Sequence, residues 1–124
     1  MPQKPTKKGR PARSVADRQL MQEMGIRLRW VREAMGLSQT AMADVVGVHQ
    51  TAWSLYERGL RWPDQFEALR MMAKLGITRL YLLEGSLQGV QPPLAIRLAA
   101  RHPELADSVG TGLGTDTATP DKVS

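Results

Sequence analysis

The sequence contains no cysteine, which excludes disulfide frameworks, cysteine metal sites and thiol catalysis. Its two histidines, His49 and His102, are too few to suggest an imidazole metal site. No uninterrupted apolar run approaches the roughly 20 residues that cross a bilayer. The basic N-terminus lacks the apolar stretch that follows it in a secretory signal. Acidic residues are missing from the first 13 positions, which hold Lys4, Lys7, Lys8, Arg10 and Arg13. Aromatic residues are scarce, and all of them lie between Trp30 and Tyr81. These absences leave a small cytoplasmic protein with neither metal nor cofactor as the expectation, and 124 residues fit one domain.

What is present is unevenly placed. The net charge of +5 equals that of residues 1–13 alone. A concentrated basic arm points to a polyanionic partner, nucleic acid ahead of membrane because no amphipathic apolar face accompanies it. On charge alone a solvated tail is the other reading. Trp30, Trp53, Tyr56, Trp62, Phe66 and Tyr81 are large apolar payloads that belong in a core, so the folded domain must span at least their range. Pro2, Pro5 and Pro11 mark an extended arm, and Pro92, Pro93, Pro103 and Pro120 mark a looser end. Pro63 stands between them and is expected to open a helix.

Gly36, Gly47, Gly59, Gly76 and Gly85 cut the middle of the chain into pieces of helix length. The pieces show helical rather than alternating spacing. Leu28, Val31 and Met35 share a face, as do Met42, Ala43 and Val46 after Ser38, a good N-cap. Trp53 and Tyr56 pair on the next segment. Phe66, Leu69 and Met72 repeat by three, and Thr78 is placed to cap a short helix carrying Leu82 and Leu83. Upstream, Ser14 and Asp17 fit a capping pattern that extends the first helix backwards past Gly25. Downstream, Pro93 is placed to start a further helix with Leu94, Ile96 and Leu98. Residues 110–124, rich in Gly, Thr and Asp, are expected to be disordered. Gly110, Gly112 and Gly114 lack the flanking strand and helix of a phosphate loop.

Residues 38–59 read as a helix, a glycine turn and a second helix. Ala43 is the small residue at closest approach, and Gly47 supplies the positive φ of the turn. Met42, Val46, Val48, Trp53 and Tyr56 form the apolar inside of the corner. Gln50, Thr51, Ser54, Leu55 and Arg58 form the outside of the second helix. In order and spacing, Leu28 with Arg32, Gly36-Leu37-Ser38-Gln39, Ala43-Asp44, Val46-Gly47-Val48, Tyr56-Glu57-Arg58-Gly59, Pro63, Leu75-Gly76-Ile77-Thr78 and Tyr81-Leu82-Leu83-Glu84-Gly85 carry a resemblance over about residues 25–85. The chain resembles the helix-turn-helix proteins of the phage Cro and repressor type, the xenobiotic-response-element (XRE) family.

That resemblance implies a second motif helix lying in the DNA major groove and a first crossing the backbone. By position, Gln50 and Thr51 would meet bases, with Ser54 and Leu55 one turn on. Gln39 would meet a phosphate, and the matching glutamine in some relatives also braces the first residue of the recognition helix. Arg58 and Arg61 would be phosphate contacts. Arg32 and Glu57 would form a structural ion pair, a buried one. His49 stands where relatives have a capping Ser or Thr, so it would cap poorly and face a phosphate. Trp53 and Tyr56 replace aliphatic residues, so the corner must widen or the rings tilt. Leu55 meets a thymine methyl or simply packs. In the arm, Lys8-Gly9-Arg10-Pro11 with Arg13 resembles an AT-hook that enters a minor groove. Backbone contact and a free tail are its other readings.

The expectation is therefore all-α: a five-helix, lambda-repressor-like DNA-binding domain. Residues 1–13 form the arm, 14–85 the helix-turn-helix domain, 86–109 an extension with a helix, and 110–124 a tail. The expected function is sequence-specific binding of double-stranded DNA in transcription regulation, as a repressor, in a prokaryotic or phage-like, nucleoid-associated setting. The competing function is a protein-interaction module, adaptor or antitoxin-like, that keeps the fold without binding DNA. No nucleophile, base and orienting group cluster as an enzyme requires. A homodimer is expected, paired through the Thr78–Glu84 helix with Tyr81 or through an exposed ridge of Leu94 and Leu98. The same extension offers a site for another protein partner.

Overall fold

The computed structural model describes residues 14–106. Lys8, Arg10 and Arg13, the arm that carries them and the expected disordered tail lie outside the described residues. Within them are α1 (Val15–Ala34), α2 (Gln39–Val46), α3 (Gln50–Glu57), α4 (Gln65–Leu75), α5 (Arg79–Glu84) and α6 (Pro92–Arg101). A helical turn at 103–106 follows, and no strand occurs among the described residues. The five expected helices are present, and α6 lies where the further helix is expected, one residue ahead of Pro93.

Helix α1 begins where the Ser14 hydroxyl accepts from the Asp17 N–H at 3.0 Å. It continues unbroken through Gly25 for 20 residues, about 30 Å. A Cβ at Gly25 would lie 2.5 Å from the carbonyl oxygens of both Tyr56 and Glu57. The C-terminal end of α3 thus rests directly on the α1 backbone. Leu28 and Val31, fully buried, extend the inward side of α1, and burial of such side chains is worth about 1.5–3 kcal/mol each.

Between α2 and α3 the chain turns at Gly47, whose φ of 78° suits glycine because no Cβ is present to clash. The Ser38 hydroxyl caps α2, accepting from the Ala41 N–H at 3.0 Å. Met42, Ala43, Val46, Trp53 and Tyr56 are all buried inside the corner. The rings tilt to fit: Trp53 and Tyr56 meet edge to face, with centroids 6.3 Å apart and planes at 73°.

Helix α4 departs from expectation at its start and in its inward face. Asp64 rather than Pro63 begins it. The Asp64 carboxylate accepts from the Glu67 N–H at 2.8 Å, and Glu67 accepts from the Asp64 N–H at 3.4 Å, closing a capping box. The buried face is Ala68, Met71 and Leu75. Phe66 is 71% exposed and Leu69 46%, so two of the three expected residues point outward, while Met72 is half-buried against the core. Successive steps of three drift around a helix of 3.6 residues per turn, whereas offsets of three and seven return to one side.

Helix α5 is capped by Thr78, whose hydroxyl accepts from the Tyr81 N–H at 2.9 Å. Tyr81 and Leu82 are buried and Leu83 is exposed. Two bonds tie α5 to α1: the Tyr81 hydroxyl donates to the Arg27 carbonyl at 2.7 Å, and the Arg27 guanidinium donates to the Leu82 carbonyl at 2.7 Å. Burial pushes the Tyr81 hydroxyl well above the usual tyrosine range. A pairing surface that uses Tyr81 itself is therefore ruled out, because the ring is wholly inside the monomer.

Residues after Gly85 complete the core. Pro92 and Pro93 occupy the first turn of α6, where their missing N–H groups cost nothing. Leu94 and Leu98 are not an exposed ridge: they are 4% and 0% exposed. With Leu87, Val90 and Leu105 they join the cluster containing Leu28 and Tyr81. The Gln91 N–H donates to the Gly76 carbonyl at 2.8 Å, and its side-chain amide donates to the Leu75 carbonyl at 2.9 Å. These bonds satisfy backbone acceptors left over at the end of α4. At the far end of α6, His102 stacks on Trp30 with ring centroids 4.0 Å apart. Helix α1 thus serves two partners, α3 on one side and the α5–α6 layer on another.

Candidate nucleic-acid interface

Helix α3 is eight residues long, about 12 Å, and carries two unlike sides. Trp53, Tyr56 and Glu57 face inward. Gln50, Thr51 and Arg58 are exposed, and Ser54 and Leu55 are partly so. Leu55 therefore packs in part while keeping an accessible surface. His49 occupies the N-cap position with no side-chain capping bond, as an imidazole in that place was expected to do, and is exposed. Arg61, just beyond the motif, is exposed as well.

A continuous hydrogen-bonded chain runs from the interior to this exposed side. Arg32 on α1 grips the Glu57 carboxylate with two bonds, Nε to Oε2 at 2.6 Å and Nη2 to Oε1 at 3.2 Å. The Glu57 side chain is 4% exposed. Arg32 also donates to the Leu37 carbonyl at 3.0 Å, which pins the turn between α1 and α2. The hydrogen bonds to Glu57 hold the arginine cation above its ordinary range despite the opposing effect of burial. The expected ion pair is present, and two further donors converge on the same carboxylate. The Trp53 indole N–H donates to Oε2, and the Gln39 amide donates to Oε1 at 3.0 Å. Gln39 in turn accepts from the Gln50 amide at 3.1 Å. Sequence reasoning reached the Arg32–Glu57 pair and the Gln39–Gln50 brace only through the resemblance, and it missed both extra donors to Glu57. Trp53 and Glu57 stand four apart on one helix, a spacing that brings side chains together.

Beside α3 lies an open cleft of about 720 Å³, lined in part by Asp44, His49, Thr51, Tyr56, Arg61 and Glu67. Burial first, and the nearby Glu67 carboxylate second, raise the Tyr56 hydroxyl above its ordinary range. Asp44 and Glu67 oppose an anion inside the cleft. Arg58, at the C-cap of α3, and Arg61, at the edge of the cleft, are exposed cations. Among the described residues no group of three or more His, Cys, Asp or Glu side chains is disposed to hold a metal ion.

A family model described as a helix-turn-helix domain matches residues 23–84, half of the chain. The chain belongs to the helix-turn-helix domain family. No curated protein and no solved structure matches it. The matched span of this helix-turn-helix protein opens inside α1 and closes at the last residue of α5. It contains the whole Arg32–Glu57–Gln39–Gln50 chain and leaves α6 outside. No helix among the described residues is long and apolar enough to cross a membrane.

Proposed function

We propose that this helix-turn-helix protein binds double-stranded DNA sequence-specifically and regulates transcription in the manner of XRE-type repressors. The observation that carries the reading is the exposed N-terminal turn of α3. Gln50 and Thr51 stand clear of the fold, and Gln50 is braced by Gln39. A helix of this width enters a major groove about 12 Å wide, and glutamine there pairs with adenine through N6 and N7. Thr51, Ser54 and Leu55 supply the remaining base-edge contacts. His49, Arg58 and Arg61, with the backbone N–H of Gln39 at the start of α2, contact phosphates, which position the protein without reading sequence. Lys8, Arg10 and Arg13 add charge contacts to the backbone or the flanking minor groove. Repression follows by occlusion of the bound site, and no cofactor takes part.

The protein acts as a homodimer on DNA, because one motif reads only a half-site and two copies about 34–36 Å apart read a near-palindrome. Leu94, Leu98 and Tyr81 are spoken for inside the monomer. The surface that suits pairing is the apolar cleft of about 440 Å³ that includes Met24, Trp62, Leu69 and, from α5, Leu83. The test of DNA reading is fluorescence anisotropy with a duplex selected from random DNA and with the random pool. Gln50→Ala is expected to weaken binding to the selected duplex by about 1–3 kcal/mol and leave the random pool nearly unchanged. Equal loss on both would overturn the role given to Gln50. Absence of binding to either duplex by the unaltered chain would favour the protein-interaction reading.

A further inference from the structure

We infer that the buried carboxylate of Glu57 determines which base Gln50 reads. The inference rests on the reading of Gln50 as a base contact. A carboxylate offers acceptors only, whereas a glutamine amide has a donor end and an acceptor end that exchange places by a half-turn. Glu57 Oε1 lies 3.0 Å from the Gln39 amide nitrogen. Gln39 must therefore turn its NH₂ inward and its oxygen outward. That oxygen lies 3.1 Å from the Gln50 amide nitrogen, so Gln50 must spend one N–H on Gln39. What Gln50 has left is its oxygen and a second N–H, an acceptor beside a donor. Adenine presents the complement, a donor at N6 beside an acceptor at N7, while guanine presents two acceptors, O6 and N7.

The carboxylate is itself immobilised. Arg32 takes both oxygens and the Trp53 indole takes Oε2, so every strong acceptor direction of Glu57 is used. An unbraced Gln50 would turn its amide either way and serve either purine. Glu57 is buried and touches no DNA. It is a positioning residue, acting through Gln39.

The experiment selects duplexes from a randomised pool with the full chain and three variants. Gln50→Ala locates the base pair that Gln50 reads, where the unaltered chain should favour adenine over guanine by about tenfold. Glu57→Gln introduces an amide nitrogen. Oε2 accepts the shorter Arg32 bond and the indole bond, so the nitrogen takes the place of Oε1 at the loss of the 3.2 Å bond from Arg32 Nη2. Gln39 and then Gln50 must turn over, and preference at that base pair should move from adenine to guanine. Gln39→Met leaves the Arg32–Glu57 pair intact and cuts the relay, so the adenine-to-guanine ratio should fall toward parity. Should Glu57→Gln fail to fold in a thermal melt, the Gln39→Met ratio decides alone. Retention of the original ratio in Gln39→Met, or in folded Glu57→Gln, overturns the relay while leaving Gln50 as a reader. If Gln50→Ala changes preference at no position, the base-reading role and the relay fall together.

Discussion

Replacing Gly25 by alanine sets two effects of opposite sign against each other. Gly25 lies in the interior of α1, where alanine is intrinsically favoured over glycine by about 1 kcal/mol. The new methyl would sit 2.5 Å from the Tyr56 and Glu57 carbonyl oxygens, where ordinary contact begins at 3.4 Å. The obstruction is backbone at the end of α3, so no side chain can swing aside. Helix α3 must retreat from α1 by most of an ångström, and gaps of ~0.5–1 Å forfeit about a quarter to a half of the dispersion attraction across a seam. Overpacking of this kind costs about 1–3 kcal/mol. The retreat also stretches the Arg32–Glu57 bonds that cross the same seam. The steric effect wins, with a net loss of about 1–2 kcal/mol. For a domain of this size that lowers the melting temperature by roughly 4–16 °C. Thermal denaturation followed by circular dichroism reads the sign directly. A melting temperature raised by Gly25→Ala would show that α3 does not bear on the α1 backbone.

Leu98→Ala should destabilise by about 2–5 kcal/mol in a chemical denaturation experiment, because Leu98 is a core residue; an effect below 0.5 kcal/mol would return it to the surface. Glu57→Ala leaves Arg32 without its buried partner and should cost about 3–5 kcal/mol, seen as a loss of melting temperature at a pH near 7. Unchanged melting there would contradict the burial of the pair. Burial raises the Tyr81 hydroxyl above its unfolded value, and a raised acid favours the folded state only while the unfolded group stays protonated. Stability should therefore hold below pH of about 10 and decline above it. Tyr81→Phe should lose about 1 kcal/mol near neutrality with its bond to Arg27 and show a shallower alkaline decline; an equally steep decline would place the titration elsewhere.

The helices α2 and α3 were legible because each signal there is local. Ser38 and Gly47 mark the ends of α2, and the spacing of Met42, Val46, Trp53 and Tyr56 sets an inside and an outside. Helix α4 was located but turned the wrong way. The large apolar residues Phe66 and Leu69 suggested a face, while the packing belongs to Ala68 and Met71. The Asp64 and Glu67 spacing of a capping box was readable and would have moved the start past Pro63. The place of α6 could not be read locally. Leu94 and Leu98 show amphipathic spacing under either outcome, and only the fold of α1 shows that it has a second side to cover. Gly25 was likewise opaque, since a helical glycine reveals a close approach only when its neighbour is known. In the site, residue types pointed to Gln50 and Thr51. The convergence of Trp53 and Gln39 on Glu57 depends on the angle between α2 and α3, which spacing does not supply.

The most direct test of the central claim is a map of which surface meets DNA. Amide shifts of the isotope-labelled full chain, recorded by NMR during titration with a selected duplex, provide it. The largest changes are expected at Gln39, His49, Gln50, Thr51, Ser54 and Arg58, with α6 little affected. Changes confined to the apolar cleft around Trp62, Leu69 and Leu83, or no changes with saturating duplex, would contradict that claim.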